Sequence, residues 1–415
     1  MNKYLLFTPG PVNVAENVRT AVCKEDISHR EAEFDRLLCS LEAKLLKLFQ
    51  MKNSADYRAV VITGSGTAAN ESILSSIVGD KNILILSNGE FGERLYGISK
   101  IHNKNTFILE TSWGESLDLE KIESYLRRHD IDIVMMVHHE TSSGMLNPLL
   151  EIGRLAKENS AMFVVDCVSS VGAEVIDMEK CFITFCSSSS SKAIGSYSGL
   201  SFVVGRTEDF EKLKDFPVKS TYLNLYKFYD FIKRFSQTPN TPAIHLFYAL
   251  EQALENILTE GVSVRYKNIK QKASFLRQGM SDLGLKFLIA QKDMCSVLTT
   301  VHMPAHIEMS QFRTKLRDKS IIIYEGKGCF KDKVFQVGNI GELSFEDLRY
   351  FLSSLGEVLL SFNRVGVKKR INMADQNLLL LTYQKKNRES NVYILENSTM
   401  TITQPDTVLP NTQLN

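Results

Sequence analysis

Three places in this 415-residue chain hold residue types that do chemistry. The first is Gly64-Ser65-Gly66-Thr67, set between an apolar run at 60–63 and a helix-like stretch over 67–78. Small residues at such a junction let backbone N–H groups approach an anion at a helix N-terminus, with two hydroxyls to help. Alone, the segment reads equally as a plain tight turn. It lacks the lysine that a GxxxxGK[ST] nucleotide loop needs. The second place is Asp166, which ends an apolar run at 162–166. A carboxylate at the C-terminal end of a parallel strand lies where α/β proteins bind ligands, although it equally serves as a helix cap. The third is Lys192, after the serine run 187–191 and between strand-like runs at 183–187 and 201–204. A flexible linker has no place between two core strands, so the small residues read as a tight loop presenting one amine in crowded surroundings. A desolvated lysine amine has a lowered pKa and attacks carbonyl carbons.

A phosphate cradle, a carboxylate and an amine in that order are the minimum equipment for pyridoxal phosphate. The phosphate docks on the helix, Asp166 keeps the ring nitrogen protonated, and Lys192 bonds the aldehyde carbon. Once released by an incoming amine, Lys192 is placed to act as the base that moves the substrate's Cα proton.

The elements that position these groups follow from hydrophobic pattern. Short runs at 60–63, 83–87, 133–138, 162–166, 183–187 and 201–204 are rich in Val, Ile, Met or Phe and read as strands buried on both faces. Helix-like segments such as 67–78 and 149–159 lie between them, so the fold class is α/β, with a mostly parallel sheet covered by helices. Residues 206–236 are aromatic and basic, 238–242 mark a turn, and a helix over 244–258 ends before Gly261. A smaller α+β unit follows, with helices at 263–284, 309–318 and 344–361 and strands at 295–302, 320–324 and 333–337. Residues 364–415 form an extension with basic groups at Lys368, Lys369 and Arg370.

Composition bounds the partners. Forty-nine basic against forty-eight acidic residues leave a net charge of +1, which gives no reason to expect nucleic acid or an anionic membrane. Apolar runs are far short of the roughly 20 residues that span a bilayer, and the N-terminal stretch is too short for a secretory signal. Seven scattered cysteines without a CxxC pair suggest neither a disulfide framework nor a zinc site, and no metal is expected. Buried free thiols in a reducing, cytoplasmic setting are the expectation. His138 and His139 lack a metal-like partner pattern and are expected to be satisfied polar residues.

With these residues in place, the chain resembles a class V aminotransferase of fold type I, most closely the 2-aminoethylphosphonate–pyruvate group. The resemblance rests on Leu6-Phe7-Thr8-Pro9-Gly10-Pro11, Ser28-His29-Arg30, Gly64-Ser65-Gly66-Thr67 and Ser87-Asn88-Gly89 with Phe91-Gly92. It continues through His138-His139-Glu140-Thr141, Val165-Asp166, Ser190-Ser191-Lys192 and Gly338-Asn339-Ile340-Gly341. It spans about residues 3–360. It implies a large domain over 21–258 with a seven-stranded sheet and a small domain over 259–363. Residues 1–20 would pack near the small domain and the active site, and 364–415 are an extension of unassigned role.

Carried over by position, the resemblance assigns Lys192 to the cofactor aldehyde and Asp166 to the ring nitrogen. Ser65, Gly66 and Thr67 would hold the phosphate, with Ser191 beside the lysine. Phe91 would cover one ring face and Val168 the other, with Thr141 near the ring hydroxyl. Thr241 would reach the phosphate across a homodimer interface, so that the active site is shared. Thr8, Gly10, Arg30 and Gln336 are candidate substrate contacts. The substrates implied are a small amine and a keto acid or amino acid.

One departure bears on substrate choice: Gln336 stands where the family places the arginine that binds an α-carboxylate. A neutral amide does not replace a charge-assisted, bidentate pair. Losing a hydrogen bond to a charged group costs about 1.5–3 kcal/mol. A lyase on the same fold is the alternative, with Cys329 in Gly326-Lys327-Gly328-Cys329 as its one candidate loop thiol. A third reading is a scaffold relative that docks through its tail.

Overall fold

The computed structural model describes residues 4–77 and 79–363. The extension expected over 364–415 lies outside the described residues. Thirteen strands are present among the described residues. They are β1 (Leu5–Phe7), β2 (Tyr57–Thr63), β3 (Ile83–Ser87), β4 (Thr106–Glu110) and β5 (Ile133–Val137). There follow β6 (His139–Glu140), β7 (Met145–Leu146), β8 (Met162–Asp166), β9 (Ile183–Ser189) and β10 (Leu200–Arg206). The last three are β11 (Leu298–His302), β12 (Ile321–Glu325) and β13 (Val334–Gly338).

Seven strands form one sheet in the order β2-β10-β9-β8-β5-β3-β4. β10 runs antiparallel to both neighbours, and the rest of the sheet is parallel. β3 and β5 are buried at every position, as their unbroken apolar sequences require when helices cover both faces. β4 is the strand that pattern reading does not find. Its five residues, TFILE, sit at the sheet edge and are only partly buried, so they carry no strong apolar signal.

The second sheet has four strands in the order β1-β12-β13-β11. β1 pairs in parallel with β12, Leu5 opposite Ile321. The turn after β1 is thereby held beside Val334–Gly338, and Thr8 lies so close to Gly338 that a Cβ there would be 2.3 Å from the Thr8 carbonyl oxygen. The core of the larger sheet runs from Phe34 and Leu41 through Val60–Ile62 and Ile133–Met136 to Phe202 and Leu250. All seven cysteines are free thiols, but Cys23, Cys39 and Cys329 are exposed, which corrects the expectation that every thiol is buried.

Candidate active site

β2, β3, β5, β8 and β9 share one direction, so the turns after their C-terminal ends open on the same edge of the sheet. That edge is where an open α/β sheet binds ligands. The turn after β2 is Gly64–Thr67, leading into the helix Gly66–Ser76. Ser65 precedes this helix without a side-chain cap bond, which leaves the leading N–H groups available to an anion. A Cβ at Gly66 would stand 2.6 Å from Val168 Cγ2, so glycine is what allows the turns after β2 and β8 to close on each other.

Asp166, at the end of β8, is 5% exposed. Its Oδ2 accepts from Asn70 Nδ2 at 2.6 Å and its Oδ1 from the Val168 N–H at 2.8 Å. Ser187 Oγ donates to Asn70 Oδ1, which fixes the amide so that its NH₂ faces Asp166. Burial raises the Asp166 pKa against those hydrogen bonds, and no salt bridge reaches it among the described residues. A proton-bearing cation against this carboxylate would lower its pKa again.

Lys192 follows β9, and burial is the main cause that lowers its pKa to about 8. The positive charges of Lys327 and Arg94 act in the same sense, and Asp166 opposes them. A Cβ on Gly10, whose φ is +139°, would be 2.5 Å from Lys192 Cδ and 2.8 Å from Nζ. The N-terminal strand turn therefore walls the amine. The Tyr324 hydroxyl donates to the Gly10 carbonyl at 3.3 Å and ties that wall to β12.

The turn after β5 carries His138 to Thr141. Glu140 is fully buried, and its carboxylate accepts from the N–H groups of Phe91 (3.4 Å), Gly92 (3.2 Å) and Ser142 (3.1 Å) and from Ser142 Oγ. Burial nevertheless pushes its pKa up to about 6. It thus caps the helix Glu90–His102 from a distant strand and sets the direction of Phe91. His138 Nδ1 pairs with Ser170 Oγ at 3.0 Å, as expected for a satisfied residue. His139 differs: Nδ1 faces the Ser169 carbonyl at 3.2 Å, but its buried Nε2 has no partner. Burial lowers the pKa of His138 to about 3 and of His139 to about 4, so both rings are neutral at pH 7. Thr141 Oγ1 donates to Ser169 Oγ at 2.8 Å.

The structure thus brings Gly66, Val168, Asp166, Thr141, Lys192 and Gly10 to one edge of the sheet, with Ser65 and Thr67 at the helix start and Ser191 half-buried beside the lysine. Thr8 is buried in the Gly10 turn and donates to the Pro11 carbonyl at 2.6 Å. Arg30 and Thr241 are exposed. Arg30 donates to Gln237 Oε1 at 3.1 Å and to the Thr238 carbonyl at 2.8 Å. Gln336 is buried in β13, where Nε2 donates to the carbonyls of Thr141 (2.7 Å) and Ser142 (3.2 Å) and lies 3.3 Å from Thr300 Oγ1. Pattern reading assigns no part to Asn70, Glu140, Arg94 or Lys327. The signal for Asn70 is a lone amide among small and apolar residues four positions after Gly66. The others depend on contacts between distant segments.

An anion cradle closed by a glycine, a buried carboxylate without a salt bridge, a walled amine and an orphaned imidazole nitrogen fit a group that carries a phosphate, a basic ring nitrogen, a hydroxyl and an aldehyde. Those are the parts of pyridoxal phosphate.

Comparison with known proteins agrees. The sequence model of the family described as Aminotransferase class-V matches residues 15–345. An uncharacterized aminotransferase of Methanocaldococcus jannaschii is 32% identical, over 88% of this chain and 94% of its own length. A 2-aminoethylphosphonate–pyruvate transaminase of Phocaeicola vulgatus is 31% identical, over 86% of this chain and 99% of its own. Among solved structures, ureidoglycine–glyoxylate aminotransferase from Bacillus subtilis superposes with a TM-score of 0.82 at 27% identity, covering 88% of this chain and 94% of that one.

Proposed function

The chain belongs to the class V aminotransferases, pyridoxal-phosphate enzymes of fold type I, and from that premise we propose that it moves an amino group between a small amine such as 2-aminoethylphosphonate and a keto acid. The observation that carries the reading is the buried Lys192 amine, with its pKa near 8, on the same sheet edge as the buried carboxylate of Asp166, which has no salt bridge among the described residues. The phosphonate relatives support the choice of amine. We also propose that the enzyme is a cytoplasmic homodimer in phosphonate metabolism, with Thr241 reaching the partner's site. Residues 21–258 and 259–363 would act as large and small domains, with 1–20 packing near the small domain and the active site. No helix among the described residues is long and apolar enough to cross a membrane. The lyase alternative is not favoured, because the close relatives are transaminases.

When bound, pyridoxal phosphate supplies an electron sink for the electrons left behind as a substrate proton departs. The residues of this chain do the rest. Ser65, Gly66 and Thr67 hold the phosphate at the helix start. Asp166, oriented by Asn70, keeps a proton on the ring nitrogen, and Phe91 and Val168 confine the ring between them. Thr141 serves the ring hydroxyl. Lys192 Nζ accepts the substrate proton and returns it. At pH 7 a pKa of about 8 leaves roughly a tenth of such amines neutral, about three hundred times the fraction for an ordinary lysine. Gln336 is bound to main-chain carbonyls and takes no part in acid recognition in this reading.

A panel of amines and keto acids, followed by the spectral conversion of the bound cofactor to its amine form, tests the proposal. Conversion by 2-aminoethylphosphonate and reversal by a keto acid are expected. Release of ammonia with no need for an acceptor would contradict it.

A further inference from the structure

The site described so far has no charged group for the acidic end of a substrate. The position that resembles the family's carboxylate-binding arginine is Gln336, and its amide is committed to Thr141 and Ser142. Two other cations act electrostatically on the Lys192 amine. Arg94 projects from the first turns of the helix Glu90–His102, and Lys327 lies in the loop between β12 and β13. The Arg94 guanidinium stands 4.6 Å from the Phe91 ring centroid and Lys327 Nζ 5.6 Å from the same centroid. Both also meet one carboxylate oxygen, Glu90 Oε1, at 2.7 Å and 3.4 Å.

The lysine's position is defined although it sits on a loop. A Cβ at Gly328 would be 2.6 Å from Trp113 Cη2, and the Trp113 and Phe330 rings meet edge-on at 6.0 Å. Trp113 is itself fixed to the Glu90–His102 helix by donating to Glu93 at 2.5 Å. The loop and helix are therefore packed so that two cations stand beside Phe91. Counting Glu93, which accepts from Trp113, two cations face two carboxylates on this rim, but both cations converge on one oxygen of Glu90. A single oxygen shared by both marks where an anion is held.

We propose that Arg94 and Lys327 bind the anionic head group of the substrate, and that the Glu90 carboxylate holds the pair until that group displaces it. The ligand class is a small amine with a terminal phosphonate or carboxylate. A phosphonate dianion gains most, because each of its charges finds a donor. The inference rests on the transaminase reading in one respect: Lys192 is the amine beside which the substrate must sit. Arg94 and Lys327 are then specificity residues, and Gln336 is relieved of that task.

Titration calorimetry of the cofactor-loaded enzyme with ethylphosphonate, which has no amine to react, tests the site directly, and propionate forms the carboxylate arm. Arg94→Met and Lys327→Met keep an aliphatic side chain over Phe91 and remove one charge each. Each is expected to weaken ethylphosphonate about tenfold or more, the loss of one charge-assisted contact. Glu90→Gln removes the competing carboxylate and is expected to tighten it several-fold. Tighter binding of ethylphosphonate than propionate identifies a phosphonate head group, and the reverse order a carboxylate. Near-ultraviolet dichroism of the bound cofactor checks that each variant is loaded, with Arg94→Gln and Lys327→Gln as second variants. An unchanged dissociation constant in either charge-removing variant, or no saturable binding to the unmodified enzyme, overturns the paired site. Anion binding that depends on both cations without any amino transfer would remove the function proposed above and leave this site standing.

Discussion

Replacing Lys192 with methionine should make the cofactor-free protein more stable at neutral pH. The lysine's pKa falls from 10.5 to about 8, chiefly because burial penalises its charge. At 1.36 kcal/mol per pH unit, that gap corresponds to about 3 kcal/mol. The sign follows from which state holds more protons. Below pH 8 the amine is charged both folded and unfolded, and the whole penalty opposes folding. As pH rises from 8 to 10.5, the folded state releases its proton first, the unfolded state binds more protons, and the penalty disappears. Methionine has no charge to bury and fills similar space. Lys192→Met should therefore be more stable by about 3 kcal/mol at pH 7, with the difference fading towards pH 10.5. Urea unfolding of both cofactor-free proteins, at one protein concentration and across that pH range, measures it. Equal stability at pH 7, or a difference that does not change with pH, would refute the argument that this amine is held in a desolvated site.

Other outcomes follow from the same contacts. Gly10→Ala would push a Cβ to within 2.8 Å of Lys192 Nζ at a backbone φ of +139°, so cofactor affinity measured by absorbance titration should fall about tenfold or more. Glu140 has its pKa raised from 4.5 to about 6, so the stability it lends below pH 4.5 is lost as pH rises through 6, by roughly 2 kcal/mol. Because glutamine does not titrate, Glu140→Gln should gain about that much relative to wild type between pH 4.5 and 6.5, and paired urea curves at the two pH values check it. Gln336→Leu leaves the Thr141 and Ser142 carbonyls without this donor and should cost about 1–3 kcal/mol in the same assay.

Much of this architecture was legible because the central strands are buried on both faces and read as unbroken apolar runs. β3, β5 and β8 declare themselves in ILILS, IVMMV and MFVVD. β4 does not, since an edge strand with partly exposed residues has little apolar pattern to show. The pairing of β1 with β12 joins residues more than three hundred positions apart, and no local signal in LLF announces it. The site divides in the same way. Gly66, Asp166 and Lys192 stand at strand ends, where residue type and position together suggest chemistry. The contacts of Asn70 with Asp166, of Glu140 with the Phe91 turn and of Gln336 with Thr141 are created by folding. The resemblance could name the position of Gln336. Only the folded chain shows its amide turned to main-chain carbonyls, and two cations gathered around Phe91 instead.

The central claim is that one buried amine carries the cofactor. Borohydride reduction of the loaded protein, followed by proteolysis and mass spectrometry, tests it most directly. The reduced pyridoxyl group should be found on the peptide containing Lys192 and vanish from that peptide in Lys192→Met. A stoichiometric label on another lysine, or none at all in a protein that still binds the cofactor, would contradict it.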